Sequence, residues 1–137
     1  MRGRYSLGTA IEEHFVRNIS FALTTKQFLD RSKTVTRRLG WLNVKEGDLL
    51  CGVLKGMGLK KGEKPTRLGI VRVKSVERDH LDSISPNDCR LEGFPELQPH
   101  QFVGMFCRSH ANCRPDSIVT RIEFQHIPGG LFSQEMG

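Results

Sequence analysis

Apolar and polar positions along this chain change period several times, and each change marks an element. Asn18 to Leu23 reads as a strand. Thr24-Thr25 then offers hydroxyl caps to a short helix through Asp30, with Phe28 and Leu29 as its buried residues. Residues 33 to 38 form a second strand segment. Gly47-Asp48 is a turn signal feeding a strand from Leu49 to Leu54. In the next strand, Leu68 to Val76, Val71 and Val73 fall on one face and Arg72 and Lys74 on the other. These last two strands are expected to pair as an antiparallel hairpin.

After Asp79 the period becomes helical. Ser85-Pro86 opens one short helix through about Arg90, and Gln98-Pro99 opens another running to about Ser109, proline being well placed at a first helical position. Phe102, Met105, Phe106 and Ser109 recur at helical spacing and are read as core. Arg114-Pro115-Asp116 breaks the chain before a last strand, Ser117 to Ile127. That strand sets Ile118, Ile122 and Phe124 against Arg121, Glu123 and Gln125.

The flanks carry weaker patterns. Residues 1 to 17 read as a loosely ordered leader with a helical hint at Ala10 to Val16, and 128 to 137 as an unpaired tail. Between the hairpin strands, residues 55 to 67 hold several glycines and lysines and read as a mobile basic arm. The remaining order predicts one α+β domain over 18 to 127: a small mixed sheet or open barrel of about five to six mostly antiparallel strands, with two to three short helices at one end.

Length agrees with this, because 137 residues suffice for one real core and not for two ordinary domains. The formal charge of +6 is concentrated. Residues 31 to 74 hold twelve Lys/Arg against Glu46, Asp48 and Glu63, a local balance of +9 that leaves −3 for the rest. A field focused in one segment suits a polyanionic partner, since each neutralised phosphate releases counterions.

No run reaches the ~18 apolar residues of a membrane span, and no apolar signal core follows Arg2 and Arg4, so a cytoplasmic protein without a membrane partner is expected. Cys51, Cys89, Cys107 and Cys113 are then expected as thiols. Cys107-x-x-His110-x-x-Cys113 has zinc-like spacing, with Cys89, His100 or His126 available as a fourth ligand. No Cys-x-x-Cys knuckle supports it, and neither metal nor cofactor is expected. Walker and dinucleotide glycine patterns are missing, as is the zinc-deaminase signature.

The densest chemistry lies in Lys33-Thr34-Val35-Thr36-Arg37-Arg38, which gathers an amine, hydroxyls and guanidiniums. On a regular strand Lys33 and Thr36 would face apart, so Lys33 must lie in the turn after the helix or the strand must bulge; Thr36 and Arg38 share a face. A lysine activates a hydroxyl only when burial or nearby cations depress its pKa, and Arg31, Arg37 and Arg38 supply cations. Arg37 is read as a phosphate contact or surface charge, and Asp48 as a turn former. Trp41 is read as packing, with base stacking as the alternative.

Lys33, Thr36 and Arg38 in this spacing, Gly47-Asp48 before a strand, Glu92-Gly93-Phe94 and the closing Val119-Thr120-Arg121-Ile122-Glu123-Phe124 together resemble the ASCH family of the PUA-like superfamily. The resemblance spans about Asn18 to Ile127. It implies a PUA-like open β-barrel with a cleft suited to RNA or a modified nucleoside. Some ASCH proteins are small amidohydrolases acting on N4-acylated cytidine with a lysine, a threonine and a glutamate; others are described as ribonucleases or RNA-binding modules. Carried over, the resemblance implies Lys33, Thr36 and Glu92 as catalytic residues.

Three functions follow as expectations. The first is an RNA- or nucleotide-binding domain, contacting its ligand through Arg37, Arg38, Trp41 and Phe94 and electrostatically through Lys55, Lys60, Lys61, Lys64 and Arg67. The second is the amidohydrolase. The third is a metal-independent ribonuclease in which Lys33, Arg38 and a histidine stabilise a phosphorane. The sequence leaves oligomeric state open.

Overall fold

A computed structural model describes residues 16–55 and 59–129. Its strands are β1 (Arg17–Ser20), β2 (Val35–Arg38), β3 (Leu49–Val53), β4 (Arg67–His80) and β5 (Ile118–His126). Three short helices, α1 (Thr25–Leu29), α2 (Pro86–Leu91) and α3 (Pro99–Arg108), accompany them. The strands form one sheet in the order β1-β3-β4-β5-β2. It is a mixed half-barrel of α+β class: β1 pairs parallel with β3, and every other neighbour is antiparallel.

The expected hairpin is β3–β4, in register from Leu49 opposite Arg72 to Gly52 opposite Gly69. β4 runs to His80, beyond the Val76 that apolar alternation reaches. Its extension is polar and exposed, and is held by ladder pairing with β5 from Glu77 opposite Arg121 to His80 opposite Ile118. Arg17, assigned by sequence to the leader, opens β1, and Arg67, assigned to the basic arm, opens β4. Residues 1–15, 56–58 and 130–137, which include most of the leader and tail, lie outside the described residues.

The inner core gathers Ile19, Phe21, Phe28, Val71, Val73, Ile122 and Phe124. Phe28 stacks on Phe21 with centroids 4.5 Å apart and lies directly against the sheet, where a Cβ at Gly52 would come within 2.6 Å of its ring. Leu29, expected in the core, is 56% exposed instead, because a helix this short buries a single residue, Phe28. Ile118 likewise sits at the exposed end of β5. Trp41 packs against the inner core, as its packing reading expects, and carries the Arg17 guanidinium 3.5 Å from its ring centroid.

A second cluster joins Leu81, Ile84, Cys89, Phe102, Phe106 and Val119 beneath α2 and α3. Both helices start as their sequences predict. The Ser85 hydroxyl accepts from Asp88 N at 3.0 Å, and the Gln101 side chain accepts from Gln98 N at 2.8 Å, each pair flanking a proline at the first turn. This cluster covers the Val119 side of β5 while the inner core takes Ile122 and Phe124, so β5 is buried on both faces. Among the described residues, no helix is long and apolar enough to cross a membrane.

Candidate active-site pocket

Lys33 lies in the turn between α1 and β2, outside the strand, which frees its amine from strand alternation. Arg31 adopts φ 68°, and Lys33 N donates to Gln27 O at 3.1 Å, folding the chain back on the helix. Glu92 caps the end of α2 and is followed by Gly93 at φ 102°, a left-handed conformation that glycine adopts without strain. A Cβ on Gly93 would meet Gln27 at 3.0 Å, and Gln27 Nε2 donates to Gly93 O at 3.1 Å. Close approach at Gly93 therefore docks α1 onto the end of α2 and brings Lys33 to Glu92.

Lys33 Nζ donates to both the Glu92 carbonyl at 2.7 Å and Glu92 Oε1 at 2.9 Å. The other oxygen, Oε2, accepts from Arg37 Nη1 at 3.1 Å. Arg37 Nη2 reaches Asp88 Oδ2 at 2.5 Å, and Asp88 also accepts Arg121 Nε at 2.7 Å and Nη2 at 3.1 Å. Charges thus alternate through Lys33, Glu92, Arg37, Asp88 and Arg121. Pairing of this kind offsets the large cost of desolvating each ion. Arg37 is only 6% exposed, so it is a buried ion-pair partner and not a surface charge: Asp88 and Glu92 hold its two terminal nitrogens.

On the next strand position Thr36 is buried, and its hydroxyl accepts from Arg38 Nε at 3.1 Å. The Arg38 Nη2 group donates to Ser20 O at 2.6 Å. Burial pushes Arg38 down to about 10, with Glu92 acting in the opposite sense, and it remains a cation at neutral pH. Lys33 is also lowered, first by burial; Glu92 opposes through charge and hydrogen bonding, while Arg38 and Arg37 add to the depression. Asp88 is held down at about 2, chiefly by its hydrogen bonds from Arg121 and then Arg37. His126 Nε2 donates to Lys33 O at 2.8 Å, supporting the turn from behind.

Part of this network opens onto a cavity of about 230 Å³, which Asp88, Arg121 and His126 do not line. Lys33, Thr36, Arg37, Arg38 and Glu92 form a polar part of its wall, and Phe21, Phe94, Phe102 and Phe106 an apolar part. Phe94 lines the cavity and also packs edge-on against Phe102. A larger depression of about 560 Å³ is bordered by Lys26, Asp30, Arg31, Arg90 and Glu96, and no member of the buried ion-pair chain lines it.

The other sequence candidates fall elsewhere. Trp41, Lys55, Lys60, Lys61, Lys64 and Arg67 do not line the cavity. The lysines of the arm are exposed, and Lys60 N closes a local turn on Glu63 Oε1 at 2.7 Å. The zinc-like segment has a different arrangement from a metal site. His110 Nδ1 bonds the Phe106 carbonyl at 2.8 Å, and among the described residues no group of three or more His, Cys, Asp or Glu could hold a metal ion.

Sequence reasoning missed Asp88 and Arg121, and also His110 and Ser20 on the cavity wall. One signal for Asp88 was available. Asp88 and Glu92 are four residues apart, which sets two carboxylates on one face at the end of α2, toward the basic strand.

No protein-family model matches the chain, and no curated relative matches it either. Solved structures do. A crystal structure of an Enterococcus faecalis V583 protein of family DUF984 superposes with a TM-score of 0.61 at 13% identity, covering 86% of this chain and 87% of that one. The ASCH domain from Lactobacillus crispatus JV V101 superposes with a TM-score of 0.56 at 16% identity, covering 88% and 86%. The fold implied by the sequence resemblance is therefore the fold of this chain, which shares that of the solved ASCH domain over nearly its whole length.

Proposed function

We propose that the cavity is the active site of an amidohydrolase that removes an acyl group from the exocyclic nitrogen of a cytidine-type nucleoside. The observation that carries this reading is the buried Lys33 amine, lowered in pKa and 2.9 Å from Glu92, opening onto the same cavity as the Thr36 hydroxyl. A cavity of about 230 Å³ is smaller than the ~300–1,000 Å³ of drug-sized ligand sites, which favours a single small nucleoside over a nucleic-acid strand inside it.

In this reading neutral Lys33 takes the Thr36 proton as the hydroxyl oxygen attacks the acyl carbonyl. The attack moves the carbonyl π pair onto the former carbonyl oxygen, and the Arg38 guanidinium, beside Thr36 Oγ1, is the cation that offsets the charge developing there. The C–N bond then breaks as Lys33 returns the proton to the leaving nitrogen, and water, deprotonated by the same amine, releases the acid from the threonine ester. Glu92 orients the amine throughout. Lys33 Nζ donates to the Glu92 carbonyl and to Glu92 Oε1, which fixes the direction of the amine. The aromatic wall supplies a flat apolar surface for the base.

The test is release of free acid and cytidine from N4-acetylcytidine. Turnover by the wild type, abolished in Lys33→Ala and retained in a Lys60→Glu/Lys61→Glu variant, is the expected result. Turnover that survives Lys33→Ala overturns the assignment.

A second role, RNA binding, draws on a separate observation: Lys55, Lys60, Lys61 and Lys64 stand exposed on the arm between β3 and β4. Its signature is an affinity for RNA that falls steeply with salt and is lost when Lys60, Lys61 and Lys64 become Glu. An affinity unchanged by those substitutions removes the arm from the account.

A further inference from the structure

We infer that Cys107 and Cys113 are a reversible thiol–disulfide pair that fixes one rim of the cavity. Their sulfurs lie 3.8 Å apart, and both side chains are partly exposed. A disulfide requires about 2.05 Å between sulfurs, so closure asks for a displacement below about 2 Å. Cys51 and Cys89 are buried, which leaves this pair as the thiols that a small oxidant reaches. Partial burial and the neighbouring Cys113 raise Cys107, so Cys107 rests as a thiol near neutral pH.

The pair brackets a residue of the cavity. Cys107 belongs to the last turn of α3, Ser109 caps that helix, and Asn112 at φ 63° turns the chain back so that Cys113 returns to Cys107. His110, between them, lines the cavity, stacks on Phe106 at 4.1 Å and donates through Nδ1 to the Phe106 carbonyl. Cross-linking the residues on either side of His110 restrains the turn that carries it and holds the ring against the aromatic wall.

With hydrogen peroxide the chemistry is complete. One thiolate attacks a peroxide oxygen; an S–O bond forms, the O–O bond breaks, and hydroxide leaves and takes a proton as water. The second sulfur then attacks the sulfenic sulfur, forming the S–S bond and expelling the sulfenic oxygen as a second water. Two thiols lose two hydrogens and one peroxide becomes two waters. A dithiol reverses the step by thiol–disulfide exchange. None of this depends on which reaction the cavity performs.

The test uses the full chain, reduced and then exposed to stoichiometric hydrogen peroxide. Peptide mapping is expected to find a Cys107–Cys113 cross-link that dithiothreitol reverses, with Cys51 and Cys89 still in the reduced state. In Cys113→Ser and in Cys107→Ser the remaining sulfur is expected to be trapped as a sulfenic acid by dimedone. Amide exchange at Ser109 and His110 should slow about ten-fold on oxidation. A pair that stays reduced, a cross-link that recruits Cys51 or Cys89, or exchange rates at Ser109 and His110 that do not change would each overturn the inference.

Discussion

Arg38 Nη2 donates a 2.6 Å hydrogen bond to the carbonyl of Ser20, so a side chain from one edge strand of the half-barrel grips the backbone of the other edge strand. The same guanidinium donates to Thr36 through Nε. One residue therefore closes the open seam of the sheet and sets the hydroxyl in the cavity. Arg38→Lys offers a single ammonium in place of this fork and cannot keep both contacts. Its expected cost is about 2 kcal/mol, within the range for hydrogen bonds to charged groups, together with a fall in kcat. Urea denaturation and steady-state kinetics check the two effects, and unchanged values for both would separate the seam from the site.

The Glu92 carboxylate serves two buried cations, Lys33 and Arg37, while Lys33 serves only Glu92. Removing the shared anion leaves Lys33 without a carboxylate and Arg37 with Asp88 alone, so Glu92→Ala is expected to cost about 3–5 kcal/mol. Lys33→Met leaves Glu92 paired with Arg37 and should cost clearly less. Equilibrium unfolding of both variants measures the order, and a Lys33→Met variant less stable than Glu92→Ala would contradict the shared-anion arrangement.

Acid stability should carry the mark of Asp88. Its folded pKa is about 2 against an ordinary 3.8, so the unfolded chain binds the proton more readily. That contribution, about 2 kcal/mol, is fully present above pH ~4 and is lost as pH falls toward 2. Asp88→Asn should flatten this part of the stability curve. Lys33 acts at the other end: its folded pKa lies below 10.5, so this residue makes stability rise with pH up to about that value. Because the amine must be neutral to accept a proton, kcat/KM should rise with pH along a limb below 10.5 that disappears in Lys33→Ala.

Gly52 faces Phe28 so closely that an added methyl would sit 2.6 Å from its ring and 3.1 Å from Phe21, which lines the cavity. Gly52→Ala should cost about 1–3 kcal/mol through overpacking. Gly47→Ala is the informative contrast. It lies in the turn before β3 with open space around it, and suffers only from its positive φ of 93°. Thermal unfolding distinguishes them: Gly52→Ala should also perturb the Phe21 ring signals, and Gly47→Ala should not.

Much of the sheet was legible because each strand carried its own burial pattern. Val71 and Val73 against Arg72 and Lys74 marked β4, and Ile122 and Phe124 against Gln125 marked β5. The polar end of β4 was not legible, since Glu77 to His80 are exposed and join the sheet through backbone pairing and not through a buried apolar face. Convergence of Lys33, Thr36 and Glu92 on one cavity was reached through the family resemblance and a turn argument for Lys33. The role of Arg37 was not, because its partners Asp88 and Glu92 lie 51 and 55 positions away and leave no local trace. Leu29 shows the opposite limit: an apolar residue on a single helical turn implies burial, yet one turn has only one inward position, and Phe28 takes it.

The central claim is that Lys33, Thr36 and Glu92 act as one chemical unit on an acylated nucleoside. The direct measurement is a kinetic cycle on N4-acetylcytidine with Lys33→Ala, Thr36→Val, Glu92→Gln and the triple variant. Groups that work together lose activity together, so each of Lys33→Ala and Thr36→Val should fall nearly as far as the triple variant. Losses that add independently across the three positions, or turnover retained in Thr36→Val, would contradict the account.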